Sequence, residues 1–316
     1  RAAIGPMADM LTPVLVIAGP TATGKTAAAV ALARRFDGEL IGADSVQVYR
    51  GFDIGSAKPT EAELQGVPHH LINIVDPDED IDAASYAARA DTAIATVRER
   101  GRLPIVVGGT GLWIRALLRG LVNLPPVNPE IRAKIESEIA VKGAPALHAK
   151  LSKIDPMSAE AVHPNDALRI VRALEVYEQT GVPMGTLRAR HALGSPRYHA
   201  TIIGLDMERE AHSTVIEGRA VRMLEAGWAD EVRGLRERWG DSVRPFGSVG
   251  YREMLAHVRD GVPLDETLRQ IRKSTRTYAR RQRTWFRSEP GVRRWMDREQ
   301  LLGPEPVARL AEELGR

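Results

Sequence analysis

The chain has 316 residues, no cysteine and a formal net charge of +3; at roughly 150 residues per domain it holds two structural units, which excludes a small stapled scaffold. Without cysteine, disulfides, thiolate metal sites, iron–sulfur clusters and cysteine nucleophiles are ruled out, and a cytoplasmic protein is expected. No run approaches the roughly 18 apolar residues of a membrane helix and no signal peptide is recognisable, so no membrane partner is expected.

Gly5-Pro6 ahead of Met7 reads as the remnant of an expression tag, so residues 1–6 stay outside the fold reading and Met7 is the expected native start. Val14–Ala18 is an apolar, β-branched run ending at Gly19, and the alanine-rich stretch Lys25–Phe36 that follows predicts a helix. Further strands are expected at Glu39–Ala43, Leu71–Val75 and Pro104–Val107, with a helix over Ala83–Arg100. Strands alternating with helices predict an α/β fold: a P-loop NTPase-like parallel sheet covered on both faces.

After Gly120 the texture changes. Glu130 to about Gln179 reads as helices broken at Gly143-Ala144-Pro145, Asp155-Pro156 and His163-Pro164. Thr201–Leu205 predicts a return to the sheet, and helices are expected from there to the C-terminus. The expected organisation is a first part of the core over 7–122, an all-helical insertion over 123–197, and a helical C-terminal part over 198–316.

Gly19-Pro20-Thr21-Ala22-Thr23-Gly24-Lys25-Thr26 matches G-x-x-x-x-G-K-[ST] between a predicted strand and a predicted helix. Its glycines let backbone N–H groups face a phosphate at a helix N-terminus, Lys25 supplies a point charge and the Thr26 hydroxyl can hold Mg²⁺. The loop specifies a phosphate or pyrophosphate, most often that of a nucleotide, and no reaction. No Walker-B Asp follows; the fourth strand runs instead into Gly108-Gly109-Thr110-Gly111, either a plain strand-to-helix turn or a site donating hydrogen bonds to a phosphate. Asp44-Ser45 follows the second strand at the ligand-binding edge of such a sheet, either capping free N–H groups or acting as a general base or Mg²⁺ partner. His69-His70 reads as a surface or loop pair, because adjacent residues face different ways and no third metal ligand has suitable spacing.

Charge is concentrated locally: residues 269–294 hold ten Lys or Arg against the single acid Glu289, which is +9 against −6 for the rest of the chain. Arg269, Lys273, Arg276, Arg280, Arg283 and Arg287 recur at helical spacing on one face. Leu268, Ile271, Thr275, Tyr278, Gln282 and Trp285 recur on the adjacent face. A solvated face normally interleaves acids, so this stripe points to nucleic-acid phosphates.

Taken in order, Gly19–Thr26, Asp44–Tyr49, Asp53–Pro59, Gly108–Leu112, His163–Asp166 with Arg169 and Arg172–Glu175, Gly250–Glu253, and Arg280–Gln282 with Thr284-Trp285 resemble the motifs of the tRNA dimethylallyltransferases, from about Pro13 to Arg287. The resemblance implies transfer of a dimethylallyl group from its diphosphate to N6 of the adenine just 3′ of a tRNA anticodon, with Mg²⁺ and release of pyrophosphate. It implies that Gly19, Thr21, Ala22, Thr23, Gly24, Lys25 and Thr26 hold the diphosphate and Thr26 the metal. Asp44 becomes the base on the adenine amine, Thr110 bonds the diphosphate near the scissile oxygen, and Arg219 clamps the leaving pyrophosphate.

By the same resemblance the anticodon stem-loop would meet Asp44, Ser45, Val46 and Gln47 at the reacting base. Arg132, Arg169 and Arg172 would meet it from the insertion, and Gly250, Tyr251 and Arg252 from the C-terminal part. Arg276, Arg280, Arg281, Gln282, Arg283, Trp285 and Arg287 would meet it from the basic helix. Asn73, Leu168 and Trp113 depart from the residues common in the family, which touches RNA recognition and leaves the phosphate loop, Asp44 and Thr110 intact. A monomer is expected. The same scaffold also fits an adenylate isopentenyltransferase acting on free nucleotide, which needs neither the insertion nor the basic tract. A non-catalytic P-loop RNA-binding protein would not need Lys25, Thr26, Asp44 and Thr110 intact, and a small-molecule P-loop kinase would need a Walker-B Asp.

Overall fold

In the core strand β1 (Pro13–Ala18), every side chain from Val14 to Ala18 is fully buried. Val14, Val16 and Ala18 enter one apolar cluster and Leu15 and Ile17 another, so the period-2 alternation serves two cores, as a sheet covered on both faces requires. The computed structural model describes residues 12–192, 196–292 and 294–316. Met7 and the residues ahead of it lie outside the described residues.

The chain divides into two compact units, Arg119–Pro196 and the remainder. In the larger unit, β1, β2 (Gly38–Ala43), β3 (His69–His70), β4 (Leu103–Gly108), β5 (His199–Leu205) and β6 (Arg294–Met296) form one parallel sheet in the order β3-β2-β4-β1-β5-β6. Helix α1 (Lys25–Phe36) packs on one face. The short α2 (Glu61–Leu64) precedes β3, and α3 (Ala83–Glu99) and α4 (Gly111–Arg119) cover the other face.

The smaller unit is built from α5 (Pro129–Lys142), α6 (Ala144–Ile154), α7 (Pro156–Ala161), α8 (Ala167–Thr180) and α9 (Met184–Ala192) around Ile135, Leu147, Leu151, Ile170 and Leu174. In the larger unit the chain continues as α10 (Arg209–Glu225), α11 (Trp228–Trp239), α12 (Tyr251–Asp260), α13 (Leu264–Ser288), α14 (Arg298–Leu301) and α15 (Pro304–Leu314). Among the described residues no helix is long and apolar enough to cross a membrane.

Two expectations are corrected. Leu71–Val75 is not a strand: Leu71 and Asn73 have φ of 63° and 54°, in the left-handed region, and only Val75 bridges Tyr49. The edge strand lies earlier, at His69–His70. The segment after β5 is not purely helical either, because Arg294–Met296 adds a sixth strand alongside Ile203–Leu205.

The fold positions the site through register. Ala43, Gly108, Ala18 and Gly204 are lateral partners at the C-terminal ends of β2, β4, β1 and β5. The residues next in the chain, Asp44, Gly109 and Gly19, therefore emerge side by side at the edge where parallel sheets bind ligands. A Cβ on Gly108 would lie 2.1 Å from the Ala43 carbonyl oxygen, so only glycine lets these strands end together.

Candidate active site

The phosphate loop leaves β1 through Gly19, whose φ of 144° and a 2.2 Å approach of a would-be Cβ to the Leu205 carbonyl oxygen leave glycine as the residue that fits. The buried Thr23 donates its hydroxyl to the Pro20 carbonyl at 2.9 Å, and Lys25 Nζ donates to the same oxygen at 2.5 Å. Gly24, at φ 80°, begins α1 with no side-chain cap, which leaves the first-turn N–H groups open to an anion.

A cavity of about 380 Å³ opens above this loop, lined by Thr21, Gly24, Lys25, Thr26, Asp44, Gln47, His69, Gly109 and Arg219 among others. Burial pushes the Lys25 ammonium down to about 7; Asp44 opposes that shift and Arg219 adds to it. Burial likewise lowers Arg219, whose guanidinium donates to Thr21 Oγ1 at 3.4 Å. Two cations in a partly dehydrated pocket form an unfavourable charge arrangement that a diphosphate would neutralise.

Across the cavity, Asp44 Oδ1 accepts the N–H groups of Val46 at 2.9 Å and Gln47 at 3.2 Å. Capping therefore uses one oxygen, and Oδ2 has no hydrogen-bond partner among the described residues. Thr110 N donates to the Ala43 carbonyl at 3.1 Å and Thr110 Oγ1 accepts from Ser45 N at 3.1 Å, which leaves the hydroxyl proton to be donated elsewhere. Gln47 donates to the carbonyls of Ser56 at 3.0 Å and Ala57 at 3.1 Å, holding the 53–59 loop against the site.

Residues 47–289 match the family model for IPP transferase. The chain belongs to the IPP transferase family. It is similar to the tRNA dimethylallyltransferase of Symbiobacterium thermophilum, 47% identical over 308 residues that cover 97% of this chain and 95% of that protein. The tRNA dimethylallyltransferase of an Anaeromyxobacter species is 50% identical over 278 residues, 88% of this chain and 92% of that one.

Among solved structures, the tRNA isopentenylpyrophosphate transferase of Bacillus halodurans matches with a TM-score of 0.70 and 39% identity, covering 96% of this chain and 97% of that one. A eukaryotic dimethylallyltransferase described as acting on tRNA matches with a TM-score of 0.78 and 27% identity, over 95% of this chain and 78% of its own. The parallel sheet with flanking helices is the architecture of this IPP transferase family member and of these solved relatives.

Several residues expected at the RNA surface are placed differently. Tyr251 is fully buried and donates its hydroxyl to Glu231 at 2.6 Å, while the same carboxylate accepts the N–H groups of Asp53, Ile54 and Gly55. This corrects its reading as a contact: it is a core residue. Gln282 is also buried, bonded to Thr21 N and to the Gly109 carbonyl, so it too has no side-chain surface for RNA. Trp285 lies against Gly111 with the Arg115 guanidinium 4.3 Å from its ring centre.

In the smaller unit, Arg132 and Arg172 converge on the fully buried Glu175, at 3.0 and 3.1 Å. They hold that unit together. Arg169 is exposed and pairs loosely with Asp166 at 3.4 Å, and Arg252 pairs with its neighbour Glu253. Gly250 is a tight-packing position, with a would-be Cβ 2.7 Å from the Trp228 ring.

The basic face of α13 is not free of acids: Glu266 of the same helix pairs with Arg269, and other elements supply the rest. Arg276 pairs with Glu217, and Arg283 and Arg287 both pair with Asp206. Lys273, Arg280 and Arg281 are exposed and make no ion pair among the described residues.

Sequence reasoning also missed two histidines. His69 lines the cavity with its ring buried, which pushes it down to about 4, while His70 pairs with Glu39 at 2.6 Å; the surface reading of the pair is corrected. His212 on α10 donates to the Thr21 carbonyl at 2.8 Å. A lone histidine 191 residues along the chain from its partner carries no local pattern that could have revealed it.

Proposed function

We propose that this chain carries tRNA dimethylallyl transfer, moving the dimethylallyl group from its diphosphate to N6 of the adenine 3′-adjacent to the anticodon. The observation that carries the reading is the convergence in one cavity of a phosphate loop and two cations with a carboxylate that has one oxygen to spare. The relatives named for this activity support it.

Lys25, Arg219 and the N–H groups at the start of α1 bind the diphosphate and stabilise the charge it gains on leaving. Thr110 donates its hydroxyl proton toward the scissile oxygen. As the amine nitrogen attacks the first carbon of the dimethylallyl group, the carbon–oxygen bond breaks, pyrophosphate departs and Asp44 takes the N6 proton. An adenine must leave its stack to reach such a site.

Thr26, the second residue of α1 and part of the cavity lining, fits a Mg²⁺ site of the kind completed by phosphate oxygens and water, since no acidic cluster able to cage a metal occurs among the described residues. The ion would supply further charge neutralisation for the diphosphate. On the RNA side, Lys273, Arg280 and Arg281 are the cations of α13 most open to phosphates. Mass spectrometry of tRNA incubated with the protein, Mg²⁺ and dimethylallyl diphosphate, beside ATP and free AMP controls, tests the reading. Prenylated tRNA is expected; prenylated AMP or a phosphorylated product would overturn it.

A further inference from the structure

Two side chains, Gln282 and His212, reach the phosphate loop from different helices, and neither belongs to the diphosphate and base machinery described above. We propose that Gln282, seconded by His212, is a positioning residue that presets the phosphate loop for the donor's diphosphate. The inference rests on the reading of that loop as the diphosphate site.

Gln282 Oε1 accepts from Thr21 N at 2.8 Å, and its Nε2 donates to the Gly109 carbonyl at 2.9 Å. The orientation of the amide is dictated by its partners: a backbone N–H can only donate and a carbonyl can only accept, so the flipped amide would lose both bonds. One buried side chain thereby bridges the loop after β1, which carries Lys25, to the loop after β4, which carries Thr110. Space is reserved for it, since a Cβ on Gly109 would lie 2.3 Å from Nε2.

The other side of Thr21 is held as well. His212 Nε2 donates to the Thr21 carbonyl at 2.8 Å, while Nδ1 accepts from Arg283 Nη2 at 3.1 Å, which fixes the neutral Nε2–H tautomer. Arg283 is in turn clamped by both oxygens of Asp206 at 2.6 to 2.9 Å. Both backbone groups of Thr21 are therefore committed to side chains from α13 and α10. This stretch needs such tethers, because Gly19, Ala22 and Gly24 all have positive φ and no strand or helix ladder runs through the loop. A loop fixed before binding spares the donor the cost of ordering it.

Equilibrium binding of dimethylallyl diphosphate to the full chain with Mg²⁺, together with steady-state kinetics, tests this. In Gln282→Ala the donor Kd and KM should rise by about ten- to a hundredfold, with kcat at saturating donor within about fivefold and the tRNA KM within about twofold. His212→Gln, whose amide N–H can still donate to Thr21, should retain far tighter donor binding than His212→Phe. Gln282→Glu adds a pH readout: its carboxylate cannot donate to Gly109, but once protonated it can, so its donor Kd relative to the parent should fall toward one between pH 8 and pH 5. Measuring the parent alongside cancels titration of Lys25, His212 and the donor itself.

An unchanged donor Kd in Gln282→Ala, or a flat ratio in Gln282→Glu, overturns the inference. Should Gln282→Ala fail to fold, Gln282→Glu and His212→Gln decide it alone. Lys25→Ala separates the two levels: loss of donor binding there with none in the Gln282 variants sinks only this inference, whereas no loss in Lys25→Ala sinks the reading of the loop and this inference with it.

Discussion

The hydroxyl oxygen of Thr110 accepts the backbone N–H of Ser45 at 3.1 Å, which joins the loop after β4 to the loop after β2 one residue beyond Asp44. The bond sets the direction of the hydroxyl as well as its place, because with one lone pair engaged the proton is free to point at a ligand. Thr110→Ser keeps both capacities and should retain kcat within a few-fold. Thr110→Val keeps the shape and loses both, and should lower kcat by about 10²–10³, the usual effect of removing one donor to a developing anion. Single-turnover rates at saturating donor check this; equal rates for the Val and Ser variants would remove Thr110 from the chemistry.

Lys25 makes donor binding pH-dependent. Burial holds its ammonium near 7, and a bound diphosphate would raise it again. Below pH 7 the lysine is charged before and after binding, and no proton is exchanged there. Above pH 7 the lysine is largely neutral in the free protein and protonated in the complex, so binding takes up a proton and the donor Kd weakens as pH rises, by up to about tenfold per pH unit. Titration calorimetry at pH 8.5 in buffers of different ionisation enthalpy measures the uptake, and the same measurement on Lys25→Ala, expected to bind far more weakly, removes the donor's own titration. Identical proton uptake in the two proteins would contradict the assignment.

Arg172 separates a structural arginine from an RNA contact. It shares the buried Glu175 with Arg132 and also donates to the Pro125 carbonyl at 2.6 Å. Arg172→Ala should destabilise the smaller unit, by less than the roughly 3–5 kcal/mol of a fully broken buried pair because Arg132 remains. The salt dependence of tRNA affinity should not change. A reduced salt slope with an unchanged melting temperature would show instead that Arg172 meets a phosphate.

The complementary test lies on α13. Neutralising Lys273, Arg280 and Arg281 together should weaken tRNA binding and flatten its dependence on log salt by up to about one unit per lost phosphate contact. Arg283→Ala should behave differently, affecting the donor site through His212. Filter-binding titrations from low to moderate salt distinguish the two, and an unchanged slope in the triple variant would make the stripe a solvated face.

How much of this was legible in the sequence follows the range of the interactions involved. The helix Lys25–Phe36 could be read to the residue, because a glycine-rich start and an alanine run are local signals. The apolar pattern of Leu71–Val75 predicts a strand but is overridden by tertiary ties: Asn73 N donates to the Gln47 carbonyl, and Lys58 Nζ donates to Asn73 Oδ1 at 2.5 Å. Asn tolerates the left-handed backbone found there, so this departure from the family pattern keeps an acceptor for Lys58. Of the acids that neutralise α13, Glu266 pairs with Arg269 within the helix itself, whereas Asp206 and Glu217 lie outside any window that a helical periodicity can see. Gln282 falls on the packing stripe that helical spacing defines, but its burial does not fit the RNA contact also expected of it, and its two partners have no trace in the sequence, because hydrogen bonds 261 and 173 residues apart leave no spacing signature.

Asp44 carries the remaining prediction. Its Oδ1 caps the turn through Val46 and Gln47, and Oδ2 is the oxygen left to meet the N6 amine. Asn in this position retains Oδ1 and the cap, since both residues cap well, and replaces Oδ2 with an amide nitrogen that can accept no proton. The substitution therefore isolates proton transfer from local folding. General-base catalysis contributes about 10²–10⁴ in rate, so single-turnover transfer by Asp44→Asn should fall by that order, with tRNA binding within a few-fold and melting temperature close to the parent. Asp44→Ala should lose the same rate and also destabilise the turn, because the cap goes with it. If Asn transferred the group within threefold of the parent at saturating donor and tRNA, the carboxylate would be a cap alone, and the proton would have to leave N6 by another route.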